Sequence, residues 1–154
     1  MSKKYTATII GLKKVNNSLD RLETLAVKVY DDVERNTAEE IAGDAKVNLS
    51  RVSTDKGRLV QSINASKNTQ EGGWKAGSQV HYAPYVEFGT GYGFKEYPFT
   101  EWKEYARDFY VNGQGRMLPS PYLFPAYQKN KPIFDKDVKS VTDKILNRFN
   151  KGKL

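Results

Sequence analysis

The chain has 154 residues, of which 38% are apolar, so its length and composition suit one domain with one modest core. There is no cysteine, which excludes disulfides and thiolate metal sites and favours an intracellular protein. No apolar run approaches the ~20 residues that a membrane-spanning helix needs, and the N-terminus lacks a signal-peptide pattern. We therefore expect a soluble protein made in the cytosol.

The net charge of +7 is unevenly distributed and is compatible with a polyanionic partner. Residues 99–154 carry eleven basic and six acidic side chains, whereas residues 1–50 carry eight of each. In the last third, however, the lysines alternate with aspartates, which is typical of a solvated helix face. A basic nucleic-acid-binding module stays open as an alternative function.

The N-terminal third predicts one strand and one long helix. Residues 4–10 are rich in strand formers and are followed by Gly11. Because no proline interrupts the apolar pattern that follows, we expect helix over residues 13–49. The apolar positions that share one face of this helix are Leu12, Val15, Leu19, Leu22, Ala26, Val29 and Val33.

The middle third predicts a small antiparallel sheet. Residues 59–67 and 73–80 have strand length and are separated by five loop residues, as in a hairpin. Residues 81–88 form a third candidate strand, with Pro84 at an edge or a bulge.

The C-terminal third predicts a second amphipathic helix. Apolar residues recur at helical spacing from Phe134 to Phe149, and Pro132 suits the first turn of such a helix. The predicted fold class is α+β. It combines a small, mainly antiparallel sheet with a long N-terminal helix and a C-terminal amphipathic helix, in a single domain over residues 1–154.

Residues 89–121 form a loop rich in glycine and aromatic residues, with one short helix expected at 100–109. Fourteen of the nineteen aromatic residues of the chain lie between positions 82 and 127, more than a core of this size can enclose. Aromatic side chains bury a large area at small rotamer cost and are enriched in protein interfaces. We therefore expect this loop to be an association surface that contributes little to the stability of the monomer.

The inventory of reactive residues argues against catalysis. His81 is the only histidine, so a multi-histidine metal site is excluded, and no Gly-x-Ser-x-Gly elbow presents a serine nucleophile. The glycines of residues 89–93 lack the Lys-Ser/Thr ending of a phosphate-binding loop. We predict no enzyme and no catalytic, cofactor-binding or metal site; a hydrolase centred on His81 is the weaker alternative.

Three motifs, in order, resemble the phage tail-component family of lambdoid and related siphophages. They are Asp55-Lys56-Gly57-Arg58-Leu59 followed by Ser62-Ile63, the run Tyr82-Ala83-Pro84-Tyr85-Val86-Glu87-Phe88-Gly89-Thr90, and Pro121-Tyr122-Leu123-Phe124-Pro125-Ala126. The resemblance implies a structural virion protein at the neck of a long-tailed phage. Such a protein forms a ring, for which six-fold symmetry is expected, completes the tail and joins it to the head around the DNA channel.

The resemblance also implies partners and roles for residues. The partners are further copies of the chain, other neck and tail proteins and, non-specifically, packaged DNA; no membrane, cofactor or small-molecule substrate is expected. Assembly would take place in the host bacterial cytoplasm. The predicted subunit-interface residues are Arg58, Tyr82, Tyr85, Glu87, Tyr92, Phe94, Trp102 and Tyr122, with Glu87 as a partner for Arg58 or for a base on a neighbouring subunit. The predicted structural-motif residues are Gly57, Leu59, Gly89, Thr90, Pro121 and Pro125.

Overall fold

The computed structural model describes residues 12–52, 57–112 and 115–152, with the backbone alone at residues 12, 13, 52, 92–94 and 108–112. The strand predicted at residues 4–10 lies outside this range. The first helix, α1, spans Leu12–Val52 and confirms the long helix expected from the apolar periodicity. Small apolar residues on one face of its C-terminal half are buried, and this face meets the rest of the fold: Ala38, Ala42, Ala45 and Leu49.

The C-terminal helix, α5, spans Leu123–Asn150 and runs antiparallel to α1. At the middle of α1, the Tyr30 hydroxyl and Thr142 Oγ1 are hydrogen-bonded at 2.8 Å. Further along α1, Asn130 Nδ2 donates to Asp44 Oδ2 at 2.8 Å. The residue numbers rise on α1 as they fall on α5, which fixes the antiparallel orientation.

The start of α5 differs from the prediction. Pro132 was expected in the first turn, but it lies inside a helix that already begins at Leu123. An internal proline removes one backbone hydrogen bond and costs roughly 3 kcal/mol in a helix. The preceding turns are held in place because Phe124 and Ala126 are buried in the core. Pro125 lies in the first turn, where its missing N–H has no intrahelical acceptor to lose.

The predicted hairpin is confirmed, although both strands are shorter than expected. Strand β1 (Asn64–Lys67) pairs antiparallel with β2 (Trp74–Gly77). Lys67 Nζ and Trp74 Nε1 both donate to Asp31 Oδ1 on α1, at 2.8 and 3.1 Å. These two hydrogen bonds hold the pKa of the Asp31 carboxyl below its ordinary value. The hairpin is therefore fixed to the middle of α1.

Two predicted strand segments are helical. Helix α2 spans Gly57–Ser62 and overlaps the first half of the run predicted as the strand at 59–67. Leu59 and Ile63 are both fully buried, and their spacing of four places them on one side of a helical turn. In a strand the same spacing would also share a face, so periodicity alone does not separate the two alternatives in so short a run.

Helix α3 spans Ala83–Phe88, where a third strand was predicted. Three of its four buried positions, Ala83, Val86 and Glu87, follow the helical steps of three and four, and the fourth, Phe88, faces a second cluster. Pro84 lies in the first turn, where a proline fits a helix, so it marks a helix start and not a strand edge.

The segment after α3 contains two 3₁₀ turns, Gly91–Glu96 and Thr100–Trp102, and helix α4, Lys103–Asn112. Tyr97 and Ala106 are buried with Phe88 in a second core cluster. The expectation that the whole loop adds little to the monomer is therefore wrong for its middle part. The physical reason is that aromatic rings here pack on α5: the ring centroids of Phe99 and Phe124 lie 4.6 Å apart.

None of the helices that the structure describes, α1 and α5 included, combines the length and the apolar character that crossing a bilayer requires.

Candidate assembly site

A buried carboxylate joins two of the motifs singled out in the sequence. Glu87, on α3, is only 3% exposed. Its Oε2 accepts from the backbone N–H groups of Tyr122 and Leu123 at 2.7 and 2.9 Å, and its Oε1 accepts from that of Phe124 at 3.1 Å. The first N–H groups of a helix have no intrahelical acceptor, so Glu87 caps α5 from another element. The side chain of Tyr122, the N-cap residue of α5, makes no capping hydrogen bond.

A tyrosine completes this arrangement, which we call the Glu87 junction: Glu87, Tyr97 and the backbone of residues 122–124. The Tyr97 hydroxyl donates to Glu87 Oε1 at 3.4 Å. Burial raises the pKa of Glu87, and its four hydrogen bonds, which favour the carboxylate, counteract part of that rise. Burial and the neighbouring Glu87 carboxylate raise the pKa values of both Tyr97 and Tyr122. Both phenols therefore stay neutral throughout the physiological range.

The backbone after α3 closes the base of the loop. Thr90 N donates to Met117 O at 2.9 Å, and Met117 N donates to Thr90 Oγ1 at 3.1 Å. Four residues before Thr90, the carbonyl oxygen of Val86 accepts a hydrogen bond from Ser120 N at 2.8 Å. Residues 91–116 are therefore a loop whose two ends are tied together.

Gly89 is required at this base. Its φ is +78°, and a Cβ built on it would lie 2.7 Å from Met117 O and 2.9 Å from Pro119 N. Both neighbours are backbone atoms that cannot rotate away. The two chain segments pass this close only because position 89 has no side chain.

The three motifs converge on one core. Leu59 and Ile63 from the first motif, Val86 from the second, and Tyr122 and Ala126 from the third belong to the same buried cluster. This cluster also includes the C-terminal half of α1. The motifs therefore build the scaffold from which the loop projects.

The predicted interface residues divide into three groups. Arg58 is exposed, while Tyr82, Tyr85 and Trp102 are half-buried. Glu87 and Tyr122 are buried within the chain itself, so their contacts are explained without a neighbouring subunit. The side chains of Tyr92 and Phe94 lie outside the described residues. The structure does not bring Arg58 to Glu87: the carboxylate oxygens of Glu87 are taken by the backbone of α5 and by Tyr97.

Among the predicted structural-motif residues, Gly57 begins α2 and Leu59 is fully buried. Thr90 pairs with Met117, as described above. Pro121 lies in the extended segment that leads into α5, and Pro125 lies in the first turn of α5.

The loop presents apolar side chains that the sequence reasoning did not single out as site residues. Tyr105 on α4 is 72% exposed, and Leu118, next to the tied base, is 66% exposed. Met117 beside it is also exposed. Aromatic count drew attention to the loop, but it gave no weight to aliphatic residues. Met117 and Leu118 stand directly before Pro119, which disfavours a helix at the residue before it. An apolar pair in such a segment is the signal that could have identified them.

His81 is exposed, and its ring meets Tyr82 edge-on with a centroid separation of 5.4 Å. Within residues 12–52, 57–112 and 115–152, no group of three or more histidine or acidic side chains is placed to hold a metal ion. The exposed side chains of the loop, Tyr105, Met117 and Leu118, provide apolar and aromatic contact area.

Comparison with known proteins shows a family match over half of the chain. The family model described as "Bacteriophage HK97-gp10, putative tail-component" matches residues 13–89, half of the chain, from the start of α1 to the glycine after α3. The matched range includes the first two motifs and Glu87, whereas the third motif lies beyond it. Neither a curated protein nor a solved structure matches the chain. With half of its length matched, the chain belongs to the HK97 gp10-like family of bacteriophage tail components.

Proposed function

We propose that this tail component is a non-enzymatic virion protein that forms a ring at the neck of a long-tailed phage. The ring completes the tail and joins it to the head around the DNA channel, and the chain acts in it as a single domain. The observation that carries the proposal is the family match over the scaffold that positions the loop. The ring assembles in the host cytoplasm and stays in the virion.

The loop of residues 91–116, with Met117 and Leu118 at its tied base, is the part of the molecule best suited to reach another neck or tail protein. Its base is tied by Thr90 and Met117, and Phe99 and Trp102 pack on Phe124 of α5, so these parts of the loop are set before association. Preorganisation lowers the entropy lost on binding. Tyr105 and Leu118 remain exposed on it and gain most from being covered.

The test is a double substitution, Tyr105→Ser with Leu118→Ser, in a phage genome. Both side chains are mostly exposed, so the free energy of unfolding should change by less than about 1 kcal/mol. Infectious particles should fall at least tenfold, with heads and tails accumulating unjoined in electron micrographs. The matched control is Ile133→Ser, an apolar residue on α5 that is 44% exposed. Normal titres from the double variant, with the protein present in the virion, would contradict this role for the loop.

Replacing the lone histidine tests the enzyme alternative. The His81 ring is exposed and contacts Tyr82 only edge-on, so His81→Gln removes little packing. We expect plating efficiency within a few-fold of wild type. A large loss of infectivity from a variant that folds and enters the virion would instead support chemistry at His81.

A nucleic-acid-binding role is the second candidate, favoured by the charge of α5. Lys136, Lys139 and Lys144 have no ion pair with any other described residue. If these charges only accommodate DNA in a channel, purified protein should bind duplex DNA weakly, without sequence preference and with a steep loss of affinity as salt rises. Fluorescence anisotropy at two salt concentrations measures this. Tight binding to one sequence at physiological salt would favour the nucleic-acid module over the neck protein.

A further inference from the structure

One end of the α1–α5 pair carries apolar side chains that no other described residue covers. Val15 and Leu19 on α1 are 55% and 46% exposed, and Leu146 and Phe149 on α5 are 50% and 38% exposed. Val15 and Phe149 line the same concavity, so the two helices contribute to one continuous surface. We call these four residues the arm ridge.

The charges beside the arm ridge are basic. Lys14 lines the concavity next to Val15, and Lys144 and Arg148 line the next concavity along the helix pair. Among described residues no acidic side chain lines either concavity, and none of these three cations has an ion pair. The ridge is therefore an apolar surface bordered by cations that form no ion pair with any described residue.

A groove lies between α1, the hairpin and α5. It has a volume of about 390 Å³, and Ile41, Trp74, Tyr127 and Phe134 provide its apolar lining. We call it the aromatic groove. Aromatic-lined concavities are where interface energy concentrates, because a projecting side chain loses most of its contact with water there.

The charged residues of the aromatic groove are mainly acidic. Glu34 and Asp135 line it together with one lysine, Lys131. Neither carboxylate has a hydrogen bond or ion pair within the described part of the chain. Through Tyr127 the groove adjoins a second depression lined by Trp102, one of the interface residues predicted from the sequence.

The ridge and the groove of one chain cannot meet. Leu19 and Ile41 lie on the same continuous helix, 22 residues apart, which corresponds to about 33 Å. Two complementary surfaces at different places on one molecule make a head-to-tail contact between copies, and such contacts close into rings when the rotation between copies permits.

We infer that the arm ridge of one copy docks into the aromatic groove of the next copy. Lys144 and Arg148 then face Glu34 and Asp135 across the contact, and apolar ridge side chains cover the groove's aromatic lining. This inference rests on the proposed ring, and it names the two surfaces that build that ring. The occupant of the groove is a second copy of this chain; a different phage protein in that place is an outcome of the test.

Paired charge reversals test the contact. One variant carries Lys144→Glu and Arg148→Glu, and the other carries Glu34→Lys and Asp135→Lys. Each alone opposes like charges across the contact, so its dissociation constant for self-association should rise at least about tenfold. An equimolar mixture restores opposite charges at every contact when the two variants alternate. Native mass spectrometry should therefore show oligomers of alternating composition with an even number of subunits.

A matched pair of substitutions tests the apolar part. Val15→Glu places a charge in the arm ridge, whereas Val47→Glu places the same charge on α1 at a site of similar exposure, 47%, outside both surfaces. Sedimentation velocity should show weakened assembly for the first variant and wild-type assembly for the second. Circular dichroism checks that both remain folded.

The outcomes separate this inference from the proposed function. Wild-type assembly that neither charge variant weakens, or a mixture that does not recover, overturns the ridge-and-groove contact and leaves the ring intact. The same holds if the groove variant loses binding only to another neck or tail protein. A wild-type chain that stays monomeric in solution and on isolated tails overturns the ring as well.

Discussion

Replacing Glu87 by glutamine is expected to destabilise the fold by ~2–5 kcal/mol, a large share of the stability of a typical domain. Glutamine keeps one acceptor oxygen and substitutes an NH₂ group for the other. Whichever way the amide is oriented, at least one of the N–H groups at the start of α5 then faces a donor. A buried donor left without an acceptor costs about 1–3 kcal/mol, more than the hydrogen bond contributes when it is made.

Urea unfolding followed by circular dichroism measures this effect. Glu40→Gln is the matched control, because Glu40 is an exposed residue on α1 and has no hydrogen bond or ion pair with any described residue. It should change the free energy of unfolding by less than about 0.5 kcal/mol. Equal stability of Glu87→Gln and wild type would mean that Glu87 does not hold the start of α5.

The Glu87 junction also implies a pH dependence of known sign. Burial raises the pKa of Glu87 above its ordinary value of 4.5, so the folded chain binds this proton more tightly than the unfolded chain. The stability from this group is fully present below pH 4.5 and is lost as pH rises through the raised value. The glutamine variant lacks this titration. The stability difference between wild type and Glu87→Gln should therefore shrink as the pH rises above 4.5.

Replacing Gly89 by alanine is expected to cost ~2–4 kcal/mol. The backbone of Gly89 lies at φ +78° and ψ −177°, a region that is essentially reserved for glycine and costs other residues about 1–3 kcal/mol. The added Cβ would also press against Met117 O at 2.7 Å. The backbone must shift to relieve this contact, and the shift weakens the pairing of Thr90 with Met117.

Gly43→Ala is a control for which we expect a change in stability of the opposite sign. Gly43 lies inside α1, and a Cβ added there would meet nothing within 4 Å, so alanine should stabilise the helix by about 0.5–1 kcal/mol. Thermal unfolding of the two variants should shift in opposite directions. Hydrogen exchange should rise in Gly89→Ala at residues 90 and 117. Protection equal to wild type there would argue against a tight approach at Gly89.

The long helices were predictable because their apolar residues recur over many turns. Over that length the helical period is distinct from alternation, and α1 ended within a few residues of its expected limits. The short helices α2 and α3 were not predictable in the same way. In a run of six residues the two periods differ at only one or two positions, and burial of Leu59 and Val86 in the cluster shared with α1 decides the outcome.

Glu87 illustrates a different limit of the sequence. The sequence suggests Arg58, or a basic residue of a neighbouring subunit, as the partner of Glu87. Its true partners are backbone N–H groups of residues 122–124, which no side-chain pattern reveals. The same contact explains why α5 begins before Pro132. Helix start signals within α5 are weak, and the capping carboxylate comes from α3.

The placement of the aromatic residues was partly predictable. Their number exceeded what one core needs, and Tyr105 is indeed largely exposed. Composition could not tell which aromatic residues face inward, however. Tyr97 is enclosed because its hydroxyl has an acceptor in Glu87, and Phe99 because its ring packs on Phe124. Val15, Leu19 and Phe149 of the arm ridge were missed because they lie on the apolar stripes that predict the two helices, and such stripes are usually buried.

The most direct test of the central claim is electron microscopy of the particles made when this gene is inactivated in its phage. If the chain completes the tail and joins it to the head, DNA-filled heads and separate tails should accumulate, and supplying the wild-type chain should restore joined virions. Joined, infectious particles of normal appearance in the absence of the protein would contradict the account.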